Sequence, residues 1–455
     1  MSWRRTTMVA TALMAGSNVT ARAQASLTIY NDGRVLHRRT VAARLPSGVS
    51  THRLALGQLD LGSVFALDSG VVVTGANYDV AVDEANTLRR AVGQRIGFAT
   101  RGANGARDTV TAEVFGVDPE RYRLSDGRIS FERPGTPLFP AELVLTQPSL
   151  VMTVRSDRAR TQFGLGFFSD GAGWGADYAI VLGNRASARI TGHATIQPGL
   201  VRVDDAEVQL LAGSVGRAAK SRPGGVMTMQ AARASEAMDE AANSQQVGES
   251  YLYTLPARLS LVPGVESSAM LFDPTSTPFE RTFTVRGQIP YWGGLPQYGD
   301  EVTDPVSVTY VIKRQLKTEF GDRPVPGGVA RIYQRDAQGR AQLVGESSLG
   351  HTAPGQDLRL DAGTAFDLTA KRLQTTYETR REGQRTVAMA SYSVTLNNAK
   401  DSVVTVDVLE QRGGEWAIVS SSLPAEKVSS TLTRFRVRVP AKGEASLSYR
   451  VRVVW

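Results

Sequence analysis

The feature that most constrains the fold is a stretch between Gly173 and Gly213 in which apolar and polar residues alternate. Successive side chains of a strand point to opposite faces, so this alternation places the apolar residues on one face of a sheet. Turn-forming residues at 183–184 and 197–199 divide the stretch into three short strands. The pattern is typical of an antiparallel sheet with one buried face. Asp204-Asp205 interrupts the third strand and predicts a bulge or a loop there.

Strand signals continue along the chain and predict an all-β protein. From Val329 to the C-terminus, strand candidates recur at spacings of about 8–12 residues, which suits an immunoglobulin-like sandwich. A helix is predicted from Glu84 to Ile96, where Ala85 and Leu88 begin a helical apolar spacing and Gly97 follows the last turn. The prediction is therefore two or three β-sandwich (immunoglobulin-like) domains with one short helix.

Changes in composition predict the domain boundaries. We expect a signal peptide at 1–25, an N-terminal β-domain at 26–140, a central β-domain at 141–320 and a C-terminal β-sandwich domain at 321–455. The central domain contains an Ala/Met-rich insertion at 222–248. We expect this insertion to be mobile because it has little apolar surface to bury, with a weakly amphipathic helix as the alternative.

The N-terminus has the features of a secretory signal. Arg4-Arg5 precede a modest apolar run from Met8 to Val19, and small residues mark cleavage near Ala23 or Ala25. We therefore expect a periplasmic or secreted protein. No other apolar run reaches about 18 residues, so no transmembrane helix is predicted. The chain has no cysteine, which excludes disulfides, thiolate nucleophiles and thiolate-ligated metal sites.

The net charge of +8 has two interpretations. It can be a solvated basic surface, or it can give affinity for anionic polymers of the cell envelope. The arginines are scattered along the predicted strands and form no basic run interleaved with aromatic residues. Nucleic acid is therefore not an expected partner.

Motifs that carry catalysis are missing from the sequence. The four histidines, at 37, 52, 193 and 351, have no close metal-binding spacing, and His351 is expected to cap or pack a turn. There is no Gly-x-Ser-x-Gly elbow, no P-loop and no dinucleotide fingerprint. Adjacent carboxylates in a strand point apart, so Asp204-Asp205 cannot work together as acid and base. We predict no catalytic residue, no cofactor and no metal site.

An aromatic, Pro/Gly-rich loop is the strongest candidate for a binding surface. Tyr291, Trp292 and Tyr298 lie between prolines and glycines at 290–298. Loop aromatics can stack on sugar rings or on a partner protein, and they can equally close the end of a sandwich core. We take these three as possible partner-binding residues. The acidic residues just after them, at 300, 301 and 304, are expected in a solvated loop, with a calcium site as the alternative.

The C-terminal strand allows a membrane alternative. Leu447, Tyr449, Val451 and Val453 alternate with other residues up to the terminal Trp455. Outer-membrane barrels end in such strands, but many strand candidates here are shorter than the about 9–11 residues that a membrane strand needs. A half-buried last strand of a sandwich is therefore the favoured prediction.

Several short segments occur in an order that matches a known family. They are the Trp174-x-x-x-Tyr178 opening, Tyr253-Thr254-Leu255-Pro256, the segment from Val325 to Tyr333, Gly345-Glu346 followed by His351 to Gly355, and Leu27 to Gly33. In this order they resemble the C-terminal domain of unknown function of bacterial mucoidy-inhibitor-A-like proteins, and its paired N-terminal domain. The resemblance implies a β-rich envelope protein with no agreed reaction. The coiled coil of many relatives is missing, and their Thr-Gly-Glu-Asp-Trp turn is replaced at 197–201.

The function predicted from these observations is a non-catalytic binding or structural role in the cell envelope. The expected partner is an envelope protein or polysaccharide. A hydrolase acting on envelope polysaccharide or peptide is the first alternative, and a site for it would be a cleft with convergent carboxylates or a Ser/His pair of perturbed pKa. An outer-membrane β-barrel is the second alternative.

Overall fold

The computed structural model describes residues 25–101, 106–183, 186–213, 215–216, 244–247, 250–287 and 300–454. Most of the predicted signal peptide and of the Ala/Met-rich insertion lies outside these ranges, as do the aromatic loop and Trp455.

Strands dominate the described residues, which confirms the predicted all-β class. The strands before residue 171 are β1 (Ala25–Tyr30), β2 (Arg34–Leu45), β3 (Gly48–Ala55), β4 (Phe65–Ala66), β5 (Val71–Asp79), β6 (Arg95–Arg101), β7 (Arg107–Val117), β8 (Glu120–Arg123), β9 (Ile129–Ser130), β10 (Thr136–Leu138), β11 (Ser149–Ser156) and β12 (Arg160–Asp170). Those from 171 to 287 are β13 (Gly173–Leu182), β14 (Ser187–Gln197), β15 (Val203–Ala212), β16 (Ser244–Val247), β17 (Ser250–Thr254), β18 (Leu259–Leu261) and β19 (Ser267–Gly287).

The remaining strands follow residue 300. They are β20 (Glu301–Asp304), β21 (Val306–Ile312), β22 (Gly328–Arg335), β23 (Ala341–Leu349), β24 (Leu358–Thr364), β25 (Leu368–Glu382), β26 (Arg385–Asn398), β27 (Val404–Gln411), β28 (Glu415–Ser421), β29 (Ala425–Lys427), β30 (Leu432–Val439) and β31 (Gly443–Val454). Two helices, α1 (Glu84–Arg90) and α2 (Glu319–Asp322), lie among them. Neither is long enough to cross a membrane, and the described part of the chain holds no longer apolar helix.

The predicted helix is present but shorter than expected. Asp83 caps α1 by accepting a hydrogen bond from the amide of Asn86 at 2.8 Å, and the helix ends at Arg90 rather than at Ile96. The turn falls at Gly93, whose φ of 82° favours glycine, so Gly93 and not Gly97 breaks the helix. Ile96 instead belongs to β6, where it is buried and pairs with Ala112 of β7.

The described residues divide into two compact units. Unit 1 contains residues 25–27, 35–170 and 201–207, and unit 2 contains residues 28–34, 171–200 and 208–454. Unit 1 has two apolar cores. One includes the inner face of the sheet β3-β11-β5 and residues of β12, and the other lies on the sheet β10-β6-β7-β8-β9 beside α1.

The alternating stretch forms the three strands that the sequence predicts, β13, β14 and β15. Its first two strands pair as an antiparallel hairpin, with Tyr178 opposite Gly192. The second neighbour of β14 is β19, and β13 pairs in parallel with β22, so the three strands do not form one local sheet. Alternation determines the buried face of a strand but not its neighbour. Asp205 lies within β15 with a φ of 49°, so the backbone is irregular where the sequence predicts a bulge.

The C-terminal part of unit 2 is a sandwich of two sheets around one apolar core. The sheet β20-β25-β26-β31-β28 faces a second sheet in which β21, β19, β27, β30 and β29 are neighbours. Leu447, Tyr449 and Val451 of β31 are buried in this core, as their alternation predicts. At another place in unit 2, Nδ1 of His351 accepts a hydrogen bond from the Gly327 amide at 3.0 Å, a turn-capping role.

Candidate functional site

The core of the C-terminal sandwich contains a buried arginine. Arg372 lies on β25, on the same inward face as Leu368 and Ala370, and its side chain is only 6% exposed. Its Nε donates to Oδ2 of Asp304 at 2.8 Å. Its Nη1 donates to Oε1 of Glu410 at 2.6 Å and to the hydroxyl oxygen of Tyr449 at 2.9 Å. We call these four residues the Arg372 cluster.

The Arg372 cluster joins the two sheets of the sandwich. Asp304 on β20 and Tyr449 on β31 belong to the same sheet as Arg372, whereas Glu410 belongs to β27 of the facing sheet. A buried charge costs several kcal/mol unless it is paired and hydrogen-bonded. Here two buried carboxylates compensate one guanidinium, so the polar contacts at this end of the sandwich depend on one another.

Electrostatics fix the protonation states in the cluster. Burial alone lowers the pKa of Arg372, but the neighbouring Glu410, Tyr449 and Asp304 raise it by more, so the guanidinium stays charged. Burial, reinforced by the carboxylate of Glu410, raises the pKa of Tyr449 well above its ordinary value. Tyr449 is therefore a neutral phenol whose oxygen accepts from Arg372.

A second arginine extends the cluster towards its aromatic neighbours. Nη2 of Arg412 lies 3.5 Å from Oε2 of Glu410, and its guanidinium lies 5.5 Å from the ring centroid of Tyr392. Tyr392 stacks on Tyr449 with ring centroids 5.3 Å apart. Both amide atoms of the buried Gln374, together with Nη1 of Arg412, have no hydrogen-bond partner among the described residues.

Gly287 lies directly against this cluster. A Cβ atom at this position would come within 2.7 Å of Nη2 of Arg372 and 3.0 Å of Oε1 of Glu410, so a larger residue would collide with both. Gly287 is the last residue of β19, and the described chain resumes at Asp300, just before Asp304. The Arg372 cluster therefore contacts both described flanks of segment 288–299.

The sequence-predicted binding residues Tyr291, Trp292 and Tyr298 belong to segment 288–299 and lie outside the described residues. Their role as partner-binding residues stays a prediction. The structure does place the Arg372 guanidinium beside Gly287, which precedes this segment, and pairs it with Asp304, which follows the segment in the sequence.

The acidic residues after this segment differ from the prediction of a solvated loop. Glu301 to Asp304 form β20, which pairs with β25. Glu301 is exposed and pairs with Nζ of Lys371 at 2.7 Å, whereas Asp304 is buried against Arg372. The prediction is wrong for Asp304 because β20 turns its side chain into the sandwich. No group of three or more His, Asp or Glu side chains in the described ranges is arranged to hold a metal ion.

Unit 1 contains a Ser/His pair of the kind a hydrolase would use. Nε2 of His37 lies 2.8 Å from the hydroxyl of Ser169, and both residues are buried. Burial, with a smaller contribution from the charge of Arg39, lowers the pKa of His37 to about 3. The ring stacks on Phe167 at 4.6 Å, and its Nδ1 has no hydrogen-bond partner within the described chain. Among the described residues the pair has no acidic orienting partner, and both side chains are almost completely buried, so it is suited to packing rather than to nucleophilic attack.

Sequence reasoning missed the Arg372 cluster because its members are far apart in the chain. Asp304, Glu410 and Tyr449 lie 68, 38 and 77 residues from Arg372. A local signal was nevertheless present. In β25 the inward positions run Leu368, Ala370, Arg372 and Gln374, so two polar residues occupy positions that alternation assigns to the core.

Comparison with known proteins adds no relative: no family model matches the chain, and no curated protein is significantly similar to it.

Replacement of Arg372 by methionine tests how much the Arg372 cluster contributes to stability. Arg372→Met leaves the buried Asp304 without its cation and Glu410 with only the 3.5 Å contact to Arg412, so we expect it to lower the free energy of unfolding by about 3–5 kcal/mol. Lys371→Met is the matched control, because Lys371 is the preceding residue of β25, points to the opposite face and makes only an exposed ion pair. Urea unfolding of both variants should show a large loss for the first and little change for the second. Equal effects would contradict the cluster's structural role.

The His37–Ser169 pair predicts a specific acid sensitivity. Because the pKa of His37 is lowered in the folded state, the unfolded state binds its proton first as the pH falls below about 6.5. Stability is therefore complete above this pH and is lost progressively down to about 3. Between pH 7 and pH 5 we expect a loss of about 2 kcal/mol from this residue. His37→Gln should remove that part of the pH dependence in urea unfolding, and an unchanged dependence would refute the assignment.

Proposed function

We propose that the protein is an exported, non-catalytic binding protein of the cell envelope, and that Tyr291, Trp292 and Tyr298 provide its contact with an envelope partner. The observation that carries this proposal is the Arg372 cluster. It lies against Gly287, which precedes the aromatic segment, and includes Asp304, which follows it.

A fixed pair of ends matters for binding. Binding residues are frequently carried on loops that a rigid scaffold positions, and the sandwich core supplies such a scaffold here. Tyrosine and tryptophan offer large contact areas at a small cost in side-chain entropy. Ordered residues on both sides of the segment would lower the conformational cost of binding further.

Export is supported by the sequence. Arg4-Arg5, the apolar run after them and the small residues near Ala23 form the three parts of a secretory signal. The resemblance to mucoidy-inhibitor-A-like proteins and the immunoglobulin-like arrangement of the sandwiches belong to the same proposal. Both agree with an envelope protein built mainly from strands.

The hydrolase alternative has less support. Its best candidate group, the His37–Ser169 pair, is buried, and the low pKa of His37 makes the imidazole a weak general base at neutral pH.

Replacement of Trp292 tests the binding role. We expect Trp292→Ala to reduce co-sedimentation of the purified mature chain with purified envelope fragments of the source cell at least tenfold, because an aromatic contact is lost. The melting temperature should stay within about 2 °C of the native value, a shift well below that of a typical core truncation.

Phe366→Ala is the matched control, since Phe366 is an aromatic residue that is 97% exposed and lies outside the segment. This variant should sediment like the native chain. A large loss of thermal stability in Trp292→Ala would assign Trp292 to the core, and undiminished sedimentation would show that the aromatic segment is not the contact.

A further inference from the structure

An open cleft in unit 1 lies beside two neighbouring turns, each of which connects strands of two different sheets. One turn, at Pro46 and Ser47, connects β2 with β3, and the other, at 157–159, connects β11 with β12. The hydroxyl of Ser47 donates to the backbone oxygen of Asp157 at 3.3 Å, which joins the two turns. The cleft has a volume of about 770 Å³. This is within the range of sites that take ligands larger than a single inorganic ion.

Arginines provide the charge of this cleft. It is lined by Arg44, Arg158 and Arg160, together with Leu45, Pro46, Ala159, Thr161 and Gln162. The lining residues include no acidic side chain. The carboxylate of the neighbouring Asp157 forms an ion pair with Arg160, whose Nη2 lies 2.9 Å from Oδ1 of Asp157.

Most of the N–H donors of Arg44 and Arg158 are not used within the described chain. The exposed side chains of Arg44 and Arg158 make no hydrogen bond or ion pair with any part of the chain that the structure describes. Nη2 of Arg160 donates to Asp157 and to the backbone oxygen of Ser69, but its Nε is buried without a hydrogen-bond partner there. Guanidinium groups present planar pairs of donors that match the oxygens of carboxylate, sulfate and phosphate groups.

The turn that carries Arg158 is stabilised by hydrogen bonds that do not involve the Arg158 side chain. The hydroxyl of Ser156 donates to the backbone oxygen of Arg158 at 2.7 Å, and the amide of Asp157 donates to the oxygen of Gly70 at 2.9 Å. Neither contact uses the guanidinium of Arg158. The side chain is therefore available to a ligand, and its removal should leave the turn intact.

The lining also indicates which polyanion fits. No aromatic residue lines the cleft, so it offers no platform on which nucleic-acid bases could stack. Thr161 and Gln162 are exposed beside the arginines and can exchange hydrogen bonds with hydroxyl groups. Anionic groups for the guanidiniums and hydroxyl groups for these two residues occur together in an acidic polysaccharide.

We propose that the Arg44–Arg158–Arg160 cleft binds a segment of an acidic polysaccharide through its carboxylate or sulfate groups. This inference goes beyond the proposed function, because it concerns unit 1 and residues other than the aromatic segment. Arg44 and Arg158 are the anion contacts, and Arg160, which pairs with Asp157, adds positive charge to the lining.

Fluorescence anisotropy of the purified mature chain with labelled oligosaccharides tests the proposal. The probes are polygalacturonate oligomers, which carry carboxylates, dextran sulfate oligomers, which carry sulfate esters, and neutral dextran. We expect binding to one or both acidic probes, weakening as salt is raised, and no binding to neutral dextran. The preferred probe then identifies which anionic group the cleft takes.

The decisive variant is Arg44→Ala with Arg158→Ala. It should weaken binding to the preferred acidic probe at least tenfold. The matched control is Arg359→Ala with Arg438→Ala, which removes the same charge from exposed positions on β24 and β30 and should change the affinity less than twofold. Equal losses of affinity in the two double variants would show that binding depends only on net charge, and this would overturn the proposed site.

Two further results would overturn the assignment. The first is native affinity for the acidic probes in Arg44→Ala with Arg158→Ala, at an unchanged melting temperature. The second is tighter binding of a labelled oligodeoxythymidylate that depends on the same two arginines, which would make the cleft a nucleic-acid site. The Trp292→Ala variant should bind these probes like the native chain, so failure of either proposal leaves the other open to its own test.

Discussion

The C-terminal sandwich depends on one buried guanidinium. Arg372 joins Asp304 and Tyr449 of its own sheet to Glu410 of the facing sheet, and its four residues are almost completely buried. Apolar residues in place of the whole cluster would pack without desolvating any charge, so the cluster is a poor way to gain stability alone. What it provides is geometry, because it requires three strands of one sheet and one of the other to meet in a single arrangement. Gly287 is part of that arrangement, since a Cβ atom would intrude on the guanidinium.

The arginines of this chain differ in how many of their N–H donors have partners within the protein. Arginines whose donors are paired stabilise the fold, and those whose donors are unpaired can bind an anion. Arg314 is buried and donates to the backbone oxygens of Phe320, Ala353 and Gln356, so its five donors organise a loop. Arg372 donates hydrogen bonds to side chains of two sheets. Arg44 and Arg158 donate no hydrogen bond to the described chain and line an open cleft. The positive net charge is thus divided between arginines that hold the fold and arginines that remain available to an anion.

Local patterns predicted the all-β class and the strands of the alternating stretch, because the period of apolar residues is a property of each strand. They could not predict that β14 pairs with β19, since a strand's neighbour is chosen by long-range contacts. The helix end was misplaced because Gly97 follows the apolar spacing, whereas Gly93 has the positive φ that turns the chain. The Arg372 cluster was beyond local patterns, because its partners come from three distant strands. Only the polar residues at inward positions of β25 indicated it.

We propose that this chain functions in the cell envelope, where an exported binding protein would meet both a partner for its aromatic segment and an acidic polysaccharide for its arginine cleft. Fractionation of cells that carry the native gene, followed by N-terminal sequencing of the recovered chain, tests this most directly. We predict a periplasmic or secreted chain that begins at Gln24 or Ser26, after cleavage at Ala23 or Ala25. An unprocessed chain recovered from the cytosol would contradict the account.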